Sequence, residues 1–309
     1  MRLIKISFKP AHSSLYHPRH WFSWLAIFLV RLITRLPFSV QKKIGTALAY
    51  ILLFVNAKRR HIVTTNVRLC FSELSDSEQR EFVRDIFIAN SIGFFEIASA
   101  WWADPNTLAD RFTVEGLEHI EAAKKDGHGV LLISGHFVHL DLCGIFINHV
   151  TPIDVVYRPN NNPVMEQVIT QGRQRFFDAV LDRSNVRTIV KRLRAGKTVW
   201  YSPDQDFGRK HIVFAPFFGI NAATITAPAR LLAMGNAKAV GASFYRDNVS
   251  NQYRLTFHPI DPSFPSGDDF QDSLLINRLL EDWIRQQPDQ YMWVHRRFKT
   301  RPEGESSLY

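Results

Sequence analysis

The sequence predicts an α/β fold: a largely parallel central sheet flanked by helices, with an N-terminal membrane-associated helical segment. Three observations carry this prediction. From Phe112 onward, short apolar, β-branched runs alternate with helical patterns, as strand–helix–strand units do. Before residue 60 the texture differs, with two apolar runs ringed by basic residues. Composition is that of a globular chain: 46% hydrophobic and 22% charged over 309 residues, enough for one large domain with an appendage.

The first apolar run, Trp21 to Val30, is broken only by Ser23. Arg31 and Arg35 interrupt its continuation to Leu36, and Pro37 ends the helix. The second run covers Ile44 to Val55. Neither reaches the ~20 clean apolar residues of a comfortable bilayer span. Trp21 and Trp24 suit a membrane–water boundary, and Arg19, Lys42, Lys43, Lys58, Arg59 and Arg60 suit an anionic leaflet. We expect residues 1–57 to form a membrane-anchoring helical region and residues 58–309 an α/β domain. The anchor is either one tilted pass from about Trp21 or an interfacial helical hairpin. Two buried core helices are the remaining alternative. The long polar stretch before Trp21 argues against a cleaved signal peptide.

A basic amphipathic helix is expected over 58–69. Ser75-Asp-Ser-Glu78 is a capping box. It opens a long helix with Phe82, Ile86, Ala89, Phe94 and Ala98 near one face, ended by Asp104-Pro105. Strands are expected over 112–114, 130–134, 154–157, 198–201, 237–244, 253–258 and 291–294. Helices are expected over 117–125, 140–148, 163–176, 186–195, 226–234 and 270–286. Cys70 and Cys143 are too few and too far apart for a disulfide framework or a cysteine zinc site. The formal net charge of +9 implies an anionic partner: nucleic acid, a phosphorylated substrate or an anionic membrane. No recognised nucleic-acid motif is visible, and no nucleic-acid partner is expected.

The chemistry concentrates in Ser134-Gly-His-Phe-Val-His-Leu-Asp141. His136 falls at the carboxyl end of a buried strand, where open α/β sheets place their sites. Asp141, near the start of the next helix, can accept from one imidazole nitrogen and leave the other as a base. The competing description is a loop histidine and an acid favoured by the helix dipole. Arg158 and Asn160, in Tyr157-Arg-Pro-Asn160, follow another strand; the arginine suits an oxyanion or phosphate, and a plain turn is the alternative. Asp204 and Asp206, in Pro203-Asp-Gln-Asp-Phe-Gly208, follow a third strand and suit a metal, substrate hydroxyls or basic groups of the site. A metal-dependent glycosyltransferase remains a distant reading of that pair. Arg296 and Arg297, in His295-Arg-Arg-Phe-Lys-Thr-Arg301, suit phosphates or an acidic protein, or form a solvated basic tail.

These blocks, with His17-Pro-Arg-His-Trp21, Lys58-Arg-Arg-His-Ile62 and the long segment Gln290 to Gly304, give a chain that resembles the lipid A late acyltransferases. They form part of the lysophospholipid acyltransferase group, and the resemblance is greatest to their lauroyltransferase branch. It implies transfer of a fatty acyl chain, lauroyl or alternatively myristoyl, from acyl carrier protein to a hydroxyl of a Kdo-lipid IVA-type acceptor. It implies His136 as base, Asp141 as the acid that orients it, no cofactor and no metal. It places Arg158, Asn160, Asp204, Asp206, Arg296 and Arg297 at the substrates. It also implies the cytoplasmic face of a bacterial inner membrane. Asp141 departs from the branch, which more often has glutamate there, and His139 is unusual within the block.

Overall fold

The structure, a computed structural model, describes residues 15–102, 104 and 109–309. Its strands are β1 (Phe112–Glu115), β2 (Gly129–Ile133), β3 (Ile153–Tyr157), β4 (Ala179–Asp182), β5 (Thr198–Tyr201), β6 (Ile212–Phe217), β7 (Ile220–Ile225), β8 (Ala237–Arg246) and β9 (Tyr253–Pro259). Seven of them form one sheet in the order β1-β9-β8-β2-β5-β3-β4. β8, β2, β5, β3 and β4 run parallel, while β9 returns antiparallel to β8 and β1 follows β9. The largely parallel sheet is as the sequence predicts. β2 lies between β5 and β8 and is covered on both faces, so all of Val130 to Ile133 is fully buried. That is why it reads as an unbroken apolar run instead of an alternating one.

The helices are α1 (Trp21–Ile33), α2 (Phe38–Val55), α3 (Ala57–Cys70), α4 (Asp76–Trp102), α5 (Leu117–Lys124), α6 (Leu140–Val150), α7 (Pro163–Arg173), α8 (Val186–Arg194), α9 (Ala227–Gly235) and α10 (Asp269–Gln286). Ile120 of α5 and Leu142, Ile145 and Phe146 of α6 cover one sheet face. Ile189 and Leu193 of α8, Leu231 and Leu232 of α9, and Ile276, Leu280 and Trp283 of α10 cover the other. Helix α4, 27 residues and so about 40 Å long, contributes to both cores. The expected capping box starts it: Ser75 N–H donates to Glu78 at 2.8 Å and Glu78 N–H to the Ser75 hydroxyl at 3.4 Å. Of its predicted stop, Pro105 lies outside the described residues.

Two expectations are corrected, and one hairpin has no counterpart among them. Helix 163–176 ends at Arg173, and the apolar residues that follow belong to the edge strand β4 paired with β3. The hairpin β6–β7 was not foreseen, because its two-residue turn, Phe218-Gly219, carries none of the usual first-position residues. Both turn residues have positive φ (49° and 76°), as the favoured hairpin turn requires. Glu281 accepts from Phe218 N–H at 2.8 Å and holds the turn against α10. The strand expected over 291–294 is a single bridge, Tyr291 to Phe137.

The amino-terminal pair differs from the rest. Helix α1 has 13 residues, about 20 Å, shorter by itself than the ~30 Å hydrocarbon thickness. The second apolar run starts earlier than Ile44. Helix α2 spans 18 residues with mean hydropathy 1.3, and among the described residues it is the one helix long and apolar enough to cross a membrane. Trp21, Phe22, Leu25, Phe28 and Leu32 of α1 and Ile51, Phe54 and Val55 of α2 are exposed, Phe22 at 82% and Phe54 at 84%.

Candidate active site

Because β2, β3 and β5 run parallel, the segments after their carboxyl ends share one edge of the sheet. His136 follows β2, Arg158 follows β3 and Asp204 follows β5. His136 and Arg158 line the same cavity there. Asp204 grips His136 twice. One oxygen is 2.6 Å from the imidazole Nδ1 and the other accepts the His136 backbone N–H at 2.8 Å. The carboxylate is fully buried while the imidazole keeps 21% of its surface exposed. Burial alone would raise the Asp204 pKa. The adjacent His136 and hydrogen bonds from His136 and the Tyr291 hydroxyl outweigh it and hold the carboxyl at about 2. With Nδ1 occupied by Asp204, Nε2 is the ring nitrogen left for chemistry.

The expected partnership of His136 with Asp141 is not formed. Helix α6 begins at Leu140, so Asp141 stands in its first turn and turns toward α4 and α7. Arg173 clasps it with Nη2 at 2.7 Å and Nε at 3.1 Å, and the Trp101 indole donates at 2.6 Å. Five residues of separation suggested contact, but the loop hands the imidazole to β5 instead. Asp141 and Arg173 nevertheless line the same cavity as His136.

The His136 loop is tied down from several directions. Met292 N–H donates to the His136 carbonyl and Val138 N–H to the Gln290 carbonyl, both at 2.9 Å. The Gln290 amide in turn bridges both backbone groups of Arg246, at 2.7 and 2.9 Å. On its other side the loop meets α4 at Gly93, where any Cβ would lie 2.4 Å from the Val138 carbonyl oxygen. The Gln290 to Val294 segment therefore buttresses the loop.

The cavity holds about 510 Å³, within the usual range for small-ligand sites. One wall is apolar and buried. Val155 and Trp200 are register partners on β3 and β5, and Phe177 packs beside them over Gly144 of α6. Toward the strand ends it becomes polar and basic, with Arg158, Arg183 and Lys210 exposed at the rim. Among the described residues no ion pair includes any of these three; Arg158 donates to Asn161 at 3.3 Å.

Several sequence-predicted substrate-binding residues contact the protein itself instead of facing the cavity as free groups. Asp204 serves the imidazole. Asp206 accepts from Thr300 N–H at 2.6 Å, the Thr300 hydroxyl at 2.9 Å and Gly208 N–H at 2.9 Å, which pins the carboxyl-terminal segment. The two aspartates thus diverge, which removes the metal-dependent glycosyltransferase reading. Arg297 is buried. It donates to the Ala223 carbonyl at 2.7 Å and to Thr224 at 3.0 Å, and lies 5.0 Å from the Phe217 ring. Its two terminal nitrogens are committed inside the protein, its buried Nε has no hydrogen-bond partner, and it does not line the cavity. Asn160 is exposed and closes a turn, with its N–H on Glu166 at 2.6 Å and its side chain on Asn162 N–H at 2.9 Å. Arg296 is exposed, outside the residues that line the cavity. His139 is completely buried against the Phe244 carbonyl at 3.1 Å, outside the cavity lining, and burial lowers its pKa to about 4. Asp204, Tyr291, Trp101 and Arg173 acquire their places by long-range packing; only the strand-end position of Asp204 was visible in sequence.

A sequence model of the family described as bacterial lipid A biosynthesis acyltransferase matches residues 8–300. The lipid A biosynthesis lauroyltransferase of Escherichia coli (strain K12) is 37% identical over 298 residues, covering 96% of this chain and 97% of that protein. The lipid A biosynthesis palmitoleoyltransferase of the same strain is 36% identical over 294 residues, covering 95% and 96%. A solved 1-acyl-sn-glycerophosphate acyltransferase from Thermotoga maritima aligns with 82% of this chain and 98% of its own at a TM-score of 0.37 and 14% identity.

Proposed function

This chain belongs to the bacterial lipid A biosynthesis acyltransferase family, and we propose that it moves a lauroyl chain from acyl carrier protein to a hydroxyl of a Kdo-lipid IVA-type acceptor. The observation that carries this reading is an imidazole held at Nδ1 by a buried carboxylate, in the lining of a cavity with one apolar, buried wall. Such a cavity suits the acyl chain; its basic rim suits a phosphorylated or acidic partner.

In the proposed reaction the acceptor hydroxyl approaches Nε2 of His136. The imidazole takes its proton while Asp204 fixes the tautomer and stabilises the imidazolium. The alkoxide oxygen bonds to the thioester carbonyl carbon, and the Arg158 guanidinium faces the resulting oxyanion. Collapse breaks the carbon–sulfur bond, and the departing thiolate takes the proton back from His136. The acyl chain passes directly from sulfur to oxygen with no covalent acyl-enzyme. Asp141 keeps Arg173 folded into the cavity wall.

The exposed apolar face of α1 and α2 supports a station on an anionic membrane, at the cytoplasmic face of the inner membrane. Of the two acyl relatives, the lauroyl donor is the first to test and the palmitoleoyl donor the second. Purified enzyme, lauroyl-carrier protein and Kdo-lipid IVA should yield acceptor heavier by one lauroyl group in mass spectrometry, and His136→Ala should not. Equal product from a folded His136→Ala protein refutes the base. A stable acyl-protein after incubation with donor alone refutes direct transfer.

A further inference from the structure

We infer that the exposed face of helix α8 is the docking site for the acidic protein that delivers the acyl chain. This rests on the carrier-dependent reading above and adds where the carrier sits. The segment from Arg183 to Arg194 contains Arg183, Arg187, Lys191, Arg192 and Arg194 and no acid. Two of these cations are spent inside the protein. Arg192 pairs with the buried Asp154 at 2.6 Å, and Arg194 donates to the Met234 carbonyl at 2.8 Å. The nearest acid in sequence, Asp182, accepts from Ser184 N–H and hydroxyl at 2.8 and 2.7 Å.

Arg183, Arg187 and Lys191 remain exposed, and none appears in an ion pair among the described residues. Arg187 and Lys191 are four apart and share one helix face, while Ile189 and Leu193 anchor the opposite face in the core. Arg183 sits at the cavity rim, two residues before the Asn185 cap of α8. A row of cations without ion-pair partners therefore leads away from the opening that receives the acyl chain; its first member, Arg183, lies 5.1 Å from the Phe207 ring, and exposed Lys210 lines the same cavity. Helix-dipole preference accounts for basic residues in the last turn but not for Arg183 or Arg187 at the other end.

An acidic carrier fits this arrangement. Its carboxylates would meet the row while a flexible thioester arm reaches past Arg183 into the cavity. Binding of this kind is steered by charge and weakened by salt. An anionic lipid surface is the competing occupant, and the apolar face presented for it lies on α1 and α2 instead.

The test uses full-length enzyme in detergent with the double variant Arg187→Glu/Lys191→Glu. For lauroyl-carrier protein, KM should rise about tenfold or more, with kcat within about twofold of wild type. For a lauroyl-pantetheine thioester, which has the arm but no acidic protein, both constants should stay unchanged. Raising salt should impose the same rise in KM on wild type with the carrier donor only. An unchanged carrier KM overturns the docking site, as does an equal loss with the small thioester. Weakened binding to phosphatidylglycerol vesicles with an unchanged carrier KM assigns the row to lipid and also overturns it. If wild-type enzyme makes no product from the carrier donor, both the functional reading and the docking site fall. If it does and the variant matches it, only the docking site falls.

Discussion

The loop around His136 and the helical pair α1–α2 are both rich in aromatic and apolar residues, yet they are held in opposite ways. In the loop, the His136 ring, its N–H and its carbonyl each have a protein partner, and Phe137 and Val138 are buried. In α1–α2, large side chains such as Phe22 and Phe54 point outward with no protein over them. The difference fits the two ends proposed for these regions. Proton transfer needs a group fixed in place before the substrate arrives. Attachment to a fluid lipid surface needs apolar area left unburied and little internal order.

The comparison breaks most directly at the imidazole. His136→Ala should lower turnover about a thousandfold and leave vesicle binding near wild type, with a lowered melting temperature because the buried Asp204 carboxylate loses its partner. Loss of folding along with activity would show that the ring is a structural prop. Asp204→Asn should lower kcat about a hundredfold, because the amide cannot stabilise the imidazolium. It also carries a pH signature. The Asp204 carboxyl is depressed to about 2 in the folded chain, below its ordinary value near 3.8. Its stabilisation is therefore fully present above about pH 4 and is lost as pH falls toward 2. Urea melts of wild type and Asp204→Asn should differ above pH 4 and converge below it. A gap that persists to the lowest pH places the stabilisation elsewhere.

At the other region, Phe22→Ser and Phe54→Ser should each weaken partition into anionic vesicles by about tenfold, since an exposed phenyl ring gains more than 1 kcal/mol on entering an apolar phase. Soluble-substrate turnover should be unaffected. Vesicle binding that survives both substitutions would mean that another surface meets the membrane. The smallest effect is expected at Asp141→Asn, which removes a charge from Arg173 but not from His136. It should lower turnover severalfold and cost roughly 1–3 kcal/mol of stability from the unpaired guanidinium. If instead it matches Asp204→Asn in kcat, the expected His136–Asp141 partnership forms during catalysis.

Local patterns carried much of this fold. The apolar run Val130 to Ile133, the cap at Ser75 and the alternation after Phe112 each depend on neighbours within a few residues, and each element formed. The failures have physical causes as well. β4 is a four-residue edge strand that follows α7 closely, so its apolar residues read as a continuation of that helix. The β6–β7 turn is held by Glu281, some sixty residues on. The 291–294 segment reads as a strand because its aromatics alternate, yet they pack against the His136 loop and α10 instead of extending the sheet.

The sequence by itself determined the α/β class, the edge of the sheet where the chemistry sits, the histidine that occupies it and the apolar character of the amino terminus. Those follow from periodicity and from strand direction, which are local. Only the tertiary structure decided which carboxylate serves that histidine, that Arg297 and Asp206 bind the protein's own backbone, and which cations remain unspent at the rim. An ion pair depends on distance and burial, and those are set by how β2, β5 and α7 pack together, not by how far apart residues stand along the chain.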